Sequence, residues 1–61
     1  MKSEKLVEKR LAAGLTQSAV AEKLGCTSSA VNQYEKNKRK PSFDIIIKLA
    51  DIYGCTVNDF V

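Results

Sequence analysis

Two adjacent groups of side chains in this 61-residue chain have the types and spacing to do chemistry. Ser28, Ser29, Asn32 and Gln33 fall at i, i+1, i+4 and i+5, which on a helix gathers them into one patch of hydroxyls and amides. Serine hydroxyls can reach bases or phosphates. Asn and Gln amides can pair bidentately with adenine N6 and N7, each good pair giving about 1 to 3 kcal/mol of discrimination. Directly behind them, Lys36, Lys38, Arg39 and Lys40 place four positive charges within five positions. Such cations meet phosphates and release counterions, which gives affinity that ignores sequence and weakens with salt. Taken separately, the first group is an ordinary polar helix face and the second a solvated loop. Side by side they complement each other, since the uncharged patch is suited to reading and the cationic stretch to holding.

The elements that must present them are marked by unusual punctuation. Gly14, Gly25 and Gly54 each follow a segment of helical spacing, where a left-handed residue ends a helix. Strand-like alternation is absent, and the pattern predicts an all-α fold of five helices. The first runs from about Ser3 to Ala13, with Leu6, Arg10 and Ala13 in one line and Val7 and Leu11 beside it. Thr16 caps a second, Gln17 to Leu24, with Val20, Ala21 and Leu24 inward. Thr27 caps a third, about Ser28 to Lys36, with Val31 and Tyr34 buried and the polar patch outward; Asn37, tolerant of left-handed backbone, terminates it. Pro41 blocks continuation through the basic connector, and Ser42 caps a fourth helix to Tyr53. There Phe43, Ile46, Ile47, Ala50 and Tyr53 form one stripe and Ile45, Leu49 and Ile52 another, so this helix should be central. A short fifth, Val57 to Val61, starts at Thr56. The second and third helices, joined by a three-residue turn centred on Gly25, have a helix-turn-helix layout, in which the second member enters the major groove. Ala21 suits the close crossing of the two.

Length and composition bound the rest. A chain of this size hides only about 60% of its unfolded surface, which leaves one modest core, one domain over residues 1–61 and no room for a deep cofactor cleft. Net charge is +3, from 10 Lys and Arg against 7 Asp and Glu. No segment approaches the ~20 apolar residues that cross a bilayer, and the Met1-Lys2-Ser3-Glu4 start has no apolar run behind it, so a cytoplasmic protein is expected. There is no His, and Cys26 and Cys55 are too few and too far apart for a zinc site or a redox pair. With no glycine-rich phosphate loop and no paired carboxylates, nothing can be assigned a catalytic role, and neither a cofactor nor a small-molecule effector is expected. Both cysteines sit between a stop glycine and a cap, the place of a small apolar plug.

The runs Leu15-Thr16-Gln17, Val20-Ala21-Glu22-Lys23-Leu24-Gly25 and Ser29-Ala30-Val31-Asn32-Gln33-Tyr34-Glu35 resemble the Cro/repressor (XRE-like) helix-turn-helix family. The likeness continues through Arg39-Lys40-Pro41-Ser42, Lys48-Leu49-Ala50 and Gly54-Cys55-Thr56-Val57, and so covers the chain from Leu6 to Val61. Departures are small: Asn37 stands where glycine is frequent, Cys26 and Cys55 where valine is usual, and Ala19 where an acid is common. The resemblance implies a compact five-helix, lambda-repressor-like DNA-binding domain that regulates promoters, and it implies that Gln17 clamps a phosphate. Physics allows the same for Gln17, since the N-terminus of a helix favours an anion; a solvated helix-start residue is the alternative. Thr27 and the Asn37 backbone are further phosphate candidates with Lys38, Arg39 and Lys40, although capping alone explains Thr27. For Arg10, on the inward line, the resemblance implies an ion pair with Glu35 that fixes geometry.

The expected partner is an operator in double-stranded DNA, held by a homodimer with half-sites one turn apart. Leftover apolar residues in the carboxyl-terminal region, Val57, Phe60 or Val61 with Ile45 and Ile52, are the expected dimer surface, with core cover as the alternative for Phe60. The competing reading is an antitoxin or protein-interaction module that uses the same fold.

Overall fold

The computed structural model describes residues 2–60. Its helices are α1 (Ser3–Ala12), α2 (Gln17–Leu24), α3 (Ser28–Glu35) and α4 (Phe43–Tyr53), followed by a 3₁₀ turn over Val57–Phe60. Three of the α-helices start on the caps that the sequence supplies. The hydroxyl oxygens of Thr16, Thr27 and Ser42 accept from the backbone N–H groups of Ala19, Ala30 and Ile45 at 3.1, 3.2 and 3.3 Å. Helix α1 lacks a side-chain cap, and its start is instead tied to the far end of the chain, where Lys2 N–H donates to the Phe60 carbonyl at 2.8 Å.

All four helices stop by one device. A left-handed residue follows the last turn, and the N–H after it bonds back five residues: Leu15 to Arg10, Cys26 to Ala21, Lys38 to Gln33 and Cys55 to Ala50. Three of these residues are glycines; the fourth is Asn37 at φ 59°, and among the described residues it is the only other residue with positive φ.

Every element contributes to the core. Leu6 comes from α1; Val20, Ala21 and Leu24 from α2; Ala30, Val31 and Tyr34 from α3; Leu49 and Ala50 from α4; and Phe60 closes it from the 3₁₀ turn. The Phe60 ring meets Tyr53 edge-on, with centroids 6.3 Å apart.

The structure corrects four readings. The closing element is a 3₁₀ turn and not an α-helix, and Val61 lies outside the described residues. Helices α1 and α3 end one residue early, at Ala12 and Glu35, leaving Ala13 exposed. Phe60 has no exposed surface and belongs to the core, so it offers nothing to a second subunit. On α4, neither stripe is buried as a whole: the inner arc holds Leu49 and Ala50, one from each, while Phe43 and Ile47 are 67% and 45% exposed. Ile45 and Ile52 are half-buried against the core, as is Val57. The physical reason is that α4 is apolar around more than half its girth, and so small a core has room for only part of that circumference.

Candidate nucleic-acid interface

Helices α2 and α3 pack together across the turn Gly25-Cys26-Thr27. The small Ala21, 3% exposed, permits the approach, and its carbonyl receives the Cys26 N–H at 2.9 Å. Burying Ala30, Val31 and Tyr34 fixes the rotation of α3 and decides which side is left for a ligand. Ser28 and Ser29 are exposed, and Asn32 and Gln33 are half-buried. Thr27 is exposed as well; its oxygen is occupied by the Ala30 N–H, and its O–H remains free to donate.

The basic connector is folded back against the end of α3. The Lys38 and Arg39 N–H groups both donate to the Gln33 carbonyl, at 2.9 and 3.2 Å. The Arg39 guanidinium lies 5.9 Å from the centre of the Tyr34 ring, a cation–π contact that spacing alone did not reveal. Asn37, Lys38, Arg39 and Lys40 are all exposed, and Pro41, next in line, is buried and anchors the segment. Among the described residues, the ion pairs are Lys5 with Glu8 and Arg10 with Glu35, so the connector keeps its charge uncompensated.

Behind the polar face of α3 runs a hydrogen-bonded chain. Arg10 Nε donates to Glu35 Oε2 at 2.6 Å and its Nη2 to Oε1 at 3.3 Å, while Nη1 reaches the Leu15 carbonyl at 2.9 Å. The two side chains are 14% and 5% exposed, a burial at which losing either partner strands the other's charge. Gln17 Nε2 donates to Glu35 Oε1 at 2.8 Å and to Asn32 Oδ1 at 3.3 Å. Both hydrogens of that amide therefore point into the protein. No local pattern could have announced the arrangement, because Glu35 is 18 positions from Gln17.

The charges of the Arg10–Glu35 pair also act on Tyr53, whose hydroxyl is pushed up to about 12 by burial first and then by the nearby Glu35 charge, with Arg10 opposing. The Cys55 thiol is likewise pushed up, chiefly by burial, which favours the unreactive protonated form. Both cysteines are free and half-buried. Among the described residues there is no cluster of potential metal ligands, and no helix is long and apolar enough to cross a membrane.

Comparison with known proteins gives a consistent result. A family model described as helix-turn-helix matches residues 6–60. The HTH-type transcriptional regulator ImmR of Bacillus subtilis is 34% identical over 90% of this chain, and the HTH-type transcriptional regulator PuuR of Escherichia coli is 35% identical over 93%. A propionyl-CoA carboxylase regulator of Cereibacter sphaeroides is 42% identical over 87%. The chain spans less than half of each of these relatives, 43%, 31% and 12% of their lengths respectively. Among solved structures, the P22 c2 repressor in complex with a synthetic operator superposes with a TM-score of 0.88 at 19% identity, over 97% of this chain and 89% of that one, a likeness of fold. With the α2-turn-α3 geometry and these matches together, the chain belongs to the Cro/repressor-type (XRE-like) helix-turn-helix family.

Proposed function

We propose that this chain binds double-stranded DNA sequence-specifically and regulates transcription, as a repressor, by lying on an operator with α3 in the major groove. The observation that carries the reading is the adjacency of an uncharged hydroxyl-and-amide face, Ser28, Ser29, Asn32 and Gln33, to the exposed, uncompensated cations Lys38, Arg39 and Lys40. The side chains of Lys38, Arg39 and Lys40 with the Thr27 hydroxyl hold the phosphates, and the α3 face reads base edges between them; the Asn37 N–H, expected to share that role, is instead donated to the Tyr34 carbonyl at 3.2 Å. The Arg10–Glu35 pair sets the angle at which α2 and α3 meet the duplex. The names of the relatives support a role in transcription.

A single reading helix of eight residues touches few base pairs, so specific binding calls for two copies on a two-fold operator. With Phe60 committed to the core, the surface assigned to the second copy is the exposed Phe43 and Ile47 of α4 with half-buried Ile45, Ile52 and Val57; Leu11, also exposed, lies apart on α1. Selection of bound sites from random duplex DNA tests the whole reading: it should return a two-fold symmetric motif with half-sites about one helical turn apart. Recovery of no enriched motif, together with capture of a protein partner, would favour the interaction-module alternative.

A further inference from the structure

We infer that Gln17 is a positioning residue for Asn32, turning the Asn32 amide so that its NH₂ group rather than its carbonyl is outermost on α3, which makes Asn32 a reader of acceptor-bearing base edges, guanine first. The inference rests on the proposed DNA-binding function and deepens it. It is a chain of forced orientations. Glu35 is held by Arg10 Nε and Nη2, and its carboxylate can only accept. The Gln17 amide atom 2.8 Å from Glu35 Oε1 must therefore be the nitrogen, since an oxygen there would face an oxygen. The second hydrogen of the same nitrogen points at the Asn32 amide 3.3 Å away, which must answer with its oxygen. Asn32 Nδ2 is then the end turned away from Gln17. Among the described residues no protein group pairs with it, and no unpaired polar side-chain atom is buried, so Nδ2 reaches solvent.

The consequence is a polarity on the reading face that residue type alone cannot give. A free Asn can flip to match adenine, offering a donor to N7 and an acceptor to the N6 amino group. Here the acceptor is engaged by Gln17, and a flip would set the Asn32 NH₂ against the Gln17 NH₂. What faces the groove is a donor, and guanine presents two acceptors there, N7 and O6. Gln33 is not constrained in this way: its backbone carbonyl takes the Lys38 and Arg39 N–H groups, and among the described residues its side chain has no partner. Two neighbouring amides thus differ in what they can read, one fixed and one adaptable.

Site selection from random duplexes with wild type, Gln17→Ala and Asn32→Asp tests this, with amide NMR on the free wild-type protein as a measurement that needs no DNA. In the free protein the Gln17 side-chain NH₂ should be protected from exchange with water and that of Asn32 should not; the reverse overturns the inference. On DNA, wild type should favour guanine at one position per half-site. Gln17→Ala should relax that position by about five- to a hundred-fold, the range of one lost base contact, and leave the others and the salt slope unchanged. Asn32→Asp, which offers only acceptors, should move the same position toward cytosine, whose N4 amino group donates. If Gln17→Ala instead weakens all sequences alike and lowers the salt slope, Gln17 is a phosphate clamp and the positioning role is wrong. Wild type that binds no duplex at all would remove the functional reading itself, a different failure from specific binding with an unaltered motif in Gln17→Ala.

Discussion

The chain uses the same three residues twice, Gly25-Cys26-Thr27 and Gly54-Cys55-Thr56, and the two copies lead to opposite ends. Up to the threonine they are alike. Gly25 and Gly54 have φ 75° and 69°, and the cysteine N–H after each bonds to a carbonyl five residues back at 2.9 Å. Beyond the threonine they part. Thr27 Oγ1 accepts from Ala30 N–H and opens an eight-residue helix whose polar side is left exposed. Thr56 donates instead, through N–H and Oγ1, to Asp59 Oδ2 at 3.0 and 3.3 Å, and the chain turns once in 3₁₀ geometry to seat Phe60 in the core. A helix stop fixes where the backbone turns, and the residues that follow decide what the turn delivers: a surface for a partner in one case, closure of the fold in the other.

The largest break in this comparison should come from what the second copy delivers. Phe60→Ala removes a ring with no exposed surface and should destabilise the fold by about 3 to 5 kcal/mol in a denaturant titration, enough to unfold a chain this small. Loss under 1 kcal/mol would mean that the 3₁₀ turn is dispensable. The first copy should show the opposite profile. Replacing Lys38, Arg39 and Lys40 together by Ala should barely move the unfolding midpoint, yet should weaken binding to every duplex and reduce the log–log salt slope by up to about 3 if each meets one phosphate.

How much of this was legible in the sequence follows the same division between local and distant causes. Stops and caps were readable because each depends on one or two neighbours: three glycines, Asn37, and the hydroxyls of Thr16, Thr27 and Ser42. The inward residues Val20, Ala21, Leu24, Val31 and Tyr34 were readable because α2 and α3 each have one apolar side. Helix α4 was not legible in this way, since periodicity finds two apolar stripes there and cannot tell that Leu49 and Ala50, one from each, face inward while Phe43 and Ile47 do not. Phe60 could not be assigned to core or surface from a five-residue tail. The inward commitment of the Gln17 amide was out of reach, because it is created when Glu35 and Asn32 arrive from another helix.

Smaller substitutions sharpen the contrast within the two turns themselves. Gly25→Ala and Gly54→Ala each force a Cβ into left-handed backbone with open space around it, and each should destabilise by a similar amount, about 1 to 2 kcal/mol. Equal losses measured by thermal unfolding would support the shared stop, whereas a clear inequality would show that the following element feeds back on it. The threonines should differ. Thr27→Ala removes an N-cap and should lower stability by about 1 kcal/mol, while Thr56→Ala removes an exposed hydroxyl donor and leaves the backbone N–H bond to Asp59, for a loss of a few tenths.

The division between a charged grip and an uncharged reading surface is tested most directly by titrating wild-type protein into two duplexes, one carrying the selected motif and one a scrambled version, across a range of salt concentrations. Both should bind in dilute buffer with comparable salt slopes, and as salt rises the scrambled duplex should be released first while the selected one is retained. Failure to bind either duplex in dilute buffer, or equal affinities for the two duplexes at every salt concentration, would contradict it.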